Sequence, residues 1–245
     1  MSSDVSRAER ALHRRAGWAC DAAQQAGVPG SFRAWERAGV LAVAATDPAL
    51  GFLSTVSGVT IETIHAAIDL VAAEGNRPAL VVPTGLGEAL LLRAGFVRAA
   101  DRLLALKPLT TQPRVAVDII EVTADDAFLD VLMAGYEVDG PVAAFIRAEH
   151  RLPMMRRFLA VARGKPIAAA ALTIHGDVAV LGGASTLPAH RGHGAQSQLL
   201  RHRLHVATDA GCTLAVATAR PGSVSAANLA RAGFHIQHRA TWKRN

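Results

Sequence analysis

Apolar and polar positions along the second half of the chain fall into a clear sequence of rhythms. From Val115 to Glu121 the residues are largely β-branched, the mark of a strand. "ADDAFLDVLMAGY" then opens on acidic cap candidates and spaces its apolar residues as a helix does. "AAFIRAEHRL" predicts a second helix. The run from Met155 to Leu187 predicts three strands with turns at Arg163-Gly164-Lys165 and His175-Gly176-Asp177, an antiparallel meander. Leu199, Leu200, Leu204 and Ala207 make a helical stripe that stops at Gly211. The strand "CTLAVATA", a helix around Ser225 to Ala232 and a last strand from Phe234 to Lys243 complete the order βααβββαβαβ.

The first half carries echoes of this pattern. "LLLRAGFVRAADRLLALK", from Leu90, and "NLARAGFHIQHRATWKR", from Asn228, share Arg-Ala-Gly-Phe at Arg93 and Arg231. Upstream, "FLSTVSGV" faces "GASTLPAH" and "VAAEGNRPALVVPTG" faces "VATDAGCTLAVATARPG", in the same order. That order predicts a tandem duplication. Between the halves, "LALKPLTTQPR" (Leu104 to Arg114) has two prolines and a polar centre and reads as an exposed linker. Residues 1 to 50 are the least legible, with Trp18 and Trp35 as candidate core anchors.

Composition narrows the class. Of 245 residues, 51% are hydrophobic, enough for one large core or two modest ones. The long apolar stretches are broken by Asp47, Pro48, His175 or Asp177 before the roughly 20 residues a membrane span needs. The N-terminal residues alternate charges with small side chains and lack an apolar signal core, so a cytoplasmic protein without membrane contact is expected. Cys20 and Cys212 have no metal-like spacing and are expected as buried thiols. A net charge of +6 suits either an anionic partner or an ordinary basic surface. With aromatics at 4% and one tyrosine, a stacking platform for nucleic acid is disfavoured. His202 and His205 stand three apart on a helix but flank arginines on its polar side; a solvated face is expected, and no metal site. The tail "HRATWKRN" reads as a basic edge strand.

The most informative stretch is "HRGHGAQSQLL", His190 to Leu200, a glycine-punctuated loop between a strand and a helix. A helix N-terminus has free N–H groups that attract phosphate, and glycines let backbone approach the anion. Arg191 can add a charge-assisted contact. No Gly-Lys-Ser/Thr follows, and the preceding strand belongs to an antiparallel meander, so neither a Walker loop nor a dinucleotide fingerprint fits.

The element order, "TLPAHRGHGAQSQLL" and the closing "NLARAGF" resemble the GNAT (GCN5-related) N-acetyltransferase superfamily. The resemblance implies a mixed α/β (α+β) fold of two tandem acyl-CoA N-acyltransferase domains, a degenerate copy over residues 1–108 and an active one over 114–245. It further implies acetyl-CoA as cosubstrate, with its pyrophosphate on Arg191, Gly192, His193, Gly194, Ala195 and Gln196. Gln196 departs from the family's small residue at that position. Ser185, Thr186 and Leu187 fall where the family's splayed strand meets pantetheine. Ser225 and Asn228 fall where polar groups often meet cofactor or thioester, although Asn228 reads equally as an ordinary helix-start residue.

The family's usual acid, a tyrosine four residues before the glycine of Gly-Phe, falls on Leu229. The strand before the loop lacks an inward carboxylate, because Asp177 sits in its leading turn. Catalytic candidates are therefore Tyr136, Glu137 and Asp139 in "MAGYEVDGP", where the family builds its acceptor site; a solvated loop is the alternative. Such an acidic loop would suit a cationic small-molecule or peptide amine. Three readings follow: an N-acetyltransferase acting on a primary amine, a non-catalytic acyl-CoA-binding or regulatory protein, and a nucleic-acid binder favoured by charge alone. Either a monomer or a homodimer is compatible, since two fused copies could form a pseudo-dimer.

Overall fold

The computed structural model describes residues 3–110, 118–123 and 126–244. The first half runs α1 (Ser3–Gln25), β1 (Phe32–Arg37), β2 (Val40–Ala45), a 3-10 turn at Pro48–Leu53, β3 (Thr55–Ser57), α2 (Ile64–Ala73), β4 (Ala79–Pro83), α3 (Glu88–Arg93) and β5 (Phe96–Pro108). The second half runs β6 (Ile119–Val122), α4 (Asp126–Tyr136), α5 (Gly140–His150), β7 (Arg156–Ala162), β8 (Lys165–His175), β9 (Val178–Thr186), α6 (Ala195–Asp209), β10 (Leu214–Ala219), α7 (Val224–Arg231) and β11 (His235–Arg244). This is the order the hydrophobic pattern predicts, except that part of the expected first strand falls on residues 111–117, outside the described residues.

The eleven strands of the described residues join one sheet, ordered β1-β2-β3-β4-β11-β5-β10-β9-β8-β7-β6. Neighbouring strands are antiparallel except β3–β4 and β9–β10, which are parallel. The two halves therefore do not close separate sheets. β11 lies between β4 and β5, and β5 between β11 and β10, so each half inserts its last strand into the other. The reading of Leu104 to Arg114 as a linker is corrected accordingly: Leu104 to Pro108 is the end of β5, with Leu104 and Leu106 against α1 and Ala105 against α6. The tail reading is also corrected, because β11 is a central strand and Trp242 is buried with α2 and α3. Alternating apolar residues, Ala240 and Trp242 on one face, license a buried position that the tail's net basic charge had masked.

The local turns correspond. Ala38-Gly39 joins β1 to β2 with φ of 51 and 78°, and Arg163-Gly164 joins β7 to β8 with 51 and 73°. Positive φ at both central residues matches the right-handed twist of a tight hairpin. Gly95 and Gly233, each at φ 81°, end α3 and α7 ahead of the two exchanged strands.

Helices α2, α3, α6 and α7 cover one face of the sheet, while α1, α4 and α5 cover the other. Val5, Ala8 and Ala11 of α1 pack on β5, β9 and β10, whereas Ala19 and Ala23 pack against Ala45 and the α5 residues Phe145 and Ala148. One amphipathic helix thus spans the seam between the halves. Trp18 is half-buried and stacks on His175 with ring centroids 4.4 Å apart, whereas Trp35, half-buried under Arg33, packs against the core of α2, α3 and the strands beside them. Cys20 and Cys212 are buried free thiols. His202 and His205 are half-buried, correcting the solvated face: His202 meets Phe158 edge-on and His205 lies 3.2 Å from Asp209. Among the described residues, no helix is long and apolar enough to cross a membrane, and no group of three or more His, Cys, Asp or Glu is placed to hold a metal.

Candidate active site

β9 and β10 pair only where Val178–Val180 meets Leu214–Val216. β9 continues to Thr186 and β10 to Ala219, so the strands part into a wedge whose backbone groups need other partners. Beyond β9 a short 3-10 turn at Pro188–His190 leads into the glycine loop. Gly192 and Gly194 take φ of 82 and 81°, and a Cβ at either would meet no atom within 4 Å, so the loop surface is open. Gly194 caps α6, and its carbonyl accepts from the Gln198 N–H. The N–H groups of Ala195, Gln196 and Ser197 consequently lack a helical acceptor and form an anion cradle.

The loop side chains divide. His193 is exposed, and Ala195 is buried against the α6 core. Arg191 donates to the Thr186 carbonyl (3.3 Å) and the Gly135 carbonyl (3.1 Å) and lies 3.9 Å from Glu137, tying the loop to the end of α4. Gln196 turns inward: its amide donates to the Ala169 carbonyl and Thr186 hydroxyl, both at 3.2 Å, and to the Ser185 carbonyl. The Leu187 carbonyl accepts from the His190 N–H. Each carbonyl from Ser185 to Leu187 thus already has a partner, and a pantetheine arm pairing with the first two would displace Gln196 or Arg191. Ser225 is exposed in the first turn of α7, and the Asn228 side chain accepts from Arg231; among the described residues neither bonds to the loop.

Upstream of the loop, β9 carries one extra residue. Ala169 faces Ser185 but Ala171 faces Gly182, a bulge with Gly183 at φ 56°. Arg203 of α6 donates to the carbonyls of Ala171 (3.0 Å) and Gly182 (3.3 Å), supplying partners where the ladder is interrupted. On the opposite face, α4 approaches β9 so closely that a Cβ on Gly135 would lie 2.6 Å from the Ser185 Cβ. Gly135→Ala is expected to cost about 1–3 kcal/mol by overpacking, read from a urea melt.

The close approach delivers Tyr136 to the bulge, where its phenol oxygen accepts from the Ala184 N–H. Burial, reinforced by nearby Glu149, raises the phenol's pKa, so Tyr136 stays protonated and can donate. Beside it, Arg15 Nε donates to Glu149 Oε1 at 2.8 Å, and its Nη1 donates to the Val180 carbonyl at 3.3 Å. Burial pushes the Glu149 carboxyl up, but Arg15 and His150 outweigh it and hold the group below its ordinary value. His150 Nδ1 donates to the Ile146 carbonyl, while its buried Nε2 has no hydrogen-bond partner. A Cβ on Gly183 would fall 2.1 Å from that nitrogen, so His150 and the bulge fit only because residue 183 is glycine.

The three sequence candidates therefore separate. Tyr136 turns to the bulge, whereas Glu137 and Asp139 are exposed; Glu137 takes φ 55° beyond α4, and Asp139 precedes α5 without a side-chain capping bond. Leu229 is buried in the α6 core. Arg15, Glu149 and His150 were not anticipated. Gly182-Gly183 inside a strand was the available signal, since glycine there marks a bulge or a close approach.

Residues 125–234 match the family model of the acetyltransferase (GNAT) family. That segment is a GNAT domain, and acyl transfer is the general chemistry of its family. A GCN5-related N-acetyltransferase from Kribbella flavida is 22% identical over 92% of this chain and 94% of its own, with a TM-score of 0.58. A GNAT-family acetyltransferase from Colwellia psychrerythraea is 16% identical over 99% of this chain and 97% of its own, at 0.59. A functionally unknown conserved protein from Staphylococcus epidermidis is 14% identical over 91% and 97%, at 0.57. These likenesses extend the shared fold through the first half. No curated protein matches this chain.

Proposed function

We propose that the protein is an acetyl-CoA-dependent N-acetyltransferase with one working site, in its second half, acting on a primary amine. The observation that carries the reading is the wedge between β9 and β10 opening beside a glycine loop and the α6 N-terminus. Positive-φ glycines with open space beside them suit a pyrophosphate, which needs close backbone approach. Gly192, Gly194 and the first N–H groups of α6 would hold it, with Arg191 and exposed His193 at its edge. Acetyl-CoA supplies the activated acetyl thioester. Tyr136, protonated beside the bulge, is placed to give a proton. Glu149, ionised and with Oε2 outside the Arg15 bond, is placed to take one from an amine.

The first half is read as a duplicated copy that has lost its site, with the halves as units 1–108 and 114–245. The matching hairpin turns, the parallel pairs β3–β4 and β9–β10 and the reciprocal strand exchange support that reading. "TVSGVTIE" stands where the second half has its glycine loop, so α2 begins without a cradle. A cytoplasmic enzyme, without metal or nucleic acid, completes the proposal.

A second reading, acyl-CoA binding without turnover, is favoured by the Gln196 amide on the Ser185 carbonyl and by Leu229 at the position of the usual acid. Calorimetry with acetyl-CoA, followed by thiol release across a panel of small amines, separates the two. One equivalent bound with thiol release is the expected result. Binding without release from any amine would favour the second reading, two equivalents would show a working first half, and no binding would remove both.

A further inference from the structure

Beneath α1, at the seam of the two halves, lies a cavity of about 270 Å³ lined from both halves of the sheet. Its floor is the centre of the sheet: Thr55 and Val81 of the first half and Thr218 of the second, with Arg102 on β5 and Arg239 on β11 directly opposite one another. Its roof is α1 and α5, which contribute Glu9, Arg15 and Glu149. At about 30 Å³ per water the space holds roughly nine waters, or one molecule the size of an amino acid.

The charges in this wall do not cancel. Arg15 is paired with Glu149 and Arg239 with Glu9, each at 2.8 Å and each pair largely shielded from solvent. Arg102 has no carboxylate partner among the described residues; its Nη2 donates only to the Phe52 carbonyl, at 2.9 Å. Arg239 Nε is buried with no hydrogen-bond partner. Two guanidinium groups thus face each other across a strand pair, one without a counter-ion and the other with an unused donor. Such groups are costly to bury unless something anionic completes them. Burial and the neighbouring Arg239 both lower the pKa of Arg102, consistent with a site that lacks a negative charge.

We propose that this cavity binds a small molecule bearing a carboxylate, held by Arg102 with the Arg239 guanidinium beside it adding positive charge. We further propose that the molecule is the acceptor, an amino acid or similar amino-carboxylate whose amine turns toward Glu149. Glu149 lines the same cavity and, through Arg15, adjoins the bulge of β9 where Tyr136 sits. Its role as acceptor rests on the transferase reading above; the carboxylate site does not. The acceptor is then selected by a partly open, net basic pocket at the seam rather than by the exposed carboxylates of Glu137 and Asp139. The first half becomes part of the acceptor site, since Arg102, Thr55 and the Phe52 turn belong to it.

The test is a melting experiment on the full chain without acetyl-CoA, so that binding is read independently of transfer. The probes are L-alanine, L-valine and L-glutamate at millimolar concentration, each against its α-carboxamide. A ligand that binds only the folded state raises Tm by an amount that grows with the logarithm of its concentration above Kd; about 2–4 °C is expected for at least one acid and none for its amide. Arg102→Gln should abolish the shift, and Arg102→Lys, which keeps the charge but loses the fork, should retain part of it. Equal shifts from acid and amide, no shift from any acid, or an undiminished shift in Arg102→Gln would each overturn the proposal. If Arg102→Gln does not fold, a reduced acid-specific shift in Arg102→Lys decides for the site, and its full retention decides against it. A shift with the acids from a protein that fails to bind acetyl-CoA would sink the transferase reading and leave the carboxylate site standing.

Discussion

Gly194→Glu is expected to abolish acetyl-CoA binding, lowering affinity at least about 100-fold by calorimetry. Two effects combine at this position. Residue 194 caps α6 at φ 81°, where any L side chain carries a strain of about 1–2 kcal/mol. The introduced carboxylate would also stand at a helix N-terminus meant for phosphate. At about 4 Å and an effective dielectric near 20, two like charges repel by about 4 kcal/mol, or nearly three decades in affinity. Gly194→Lys separates the effects, since it carries the same strain with the opposite charge. Its Cβ, like that of glutamate, meets no atom within 4 Å. The lysine variant should bind within about tenfold of the unsubstituted protein. Equal loss in both variants would mean that the loop's shape alone matters, and no loss in either would place the cofactor elsewhere.

That loop was legible because everything it needs is local. Its glycines, its arginine and the helix behind them lie within a dozen residues, and backbone donors at a helix start follow from chain direction alone. The meander and the hairpin turns were legible for the same reason. Strand exchange was not: β11 pairs with β4 and β5, and nothing in "HIQHRATWKR" announces partners so far away. Its basic residues suggested an edge, yet only those on one face, such as Arg239, enter the α1 layer, where Glu9 meets them. The acid–base cluster was opaque on similar grounds. Arg15 and Glu149 stand 134 residues apart in the chain, and neither sits in a recognisable motif. Tyr136 was found through its neighbours in sequence, but what distinguishes it is Gly135, whose missing side chain lets α4 settle onto the bulge.

Substituting Glu149 should affect stability and turnover separately, according to the replacement. Glu149→Ala leaves the Arg15 guanidinium, only 9% exposed, without its carboxylate and with only the Val180 carbonyl as a described acceptor. Removing one partner of a buried ion pair costs about 3–5 kcal/mol, and a urea melt should show a loss of that size. Glu149→Gln keeps the shape and leaves an amide oxygen to accept from Arg15 Nε, so it should retain most of that stability. Turnover should nevertheless fall about 100-fold or more, because an amide cannot take a proton from the incoming amine. The pH dependence of stability carries a definite sign. The Glu149 carboxyl is held below its ordinary 4.5 in the folded chain: burial opposes ionisation, but Arg15 and His150 outweigh it. A depressed folded pKa contributes stability that is fully present above the unfolded value and disappears as pH falls through the folded one. The unsubstituted protein should therefore lose stability below about pH 4.5 more steeply than Glu149→Gln, whose amide does not titrate there. Parallel acid melts of the two would remove Glu149 from the ionised pair, and unchanged turnover in Glu149→Gln would remove it from proton transfer while leaving the cradle at α6 untouched.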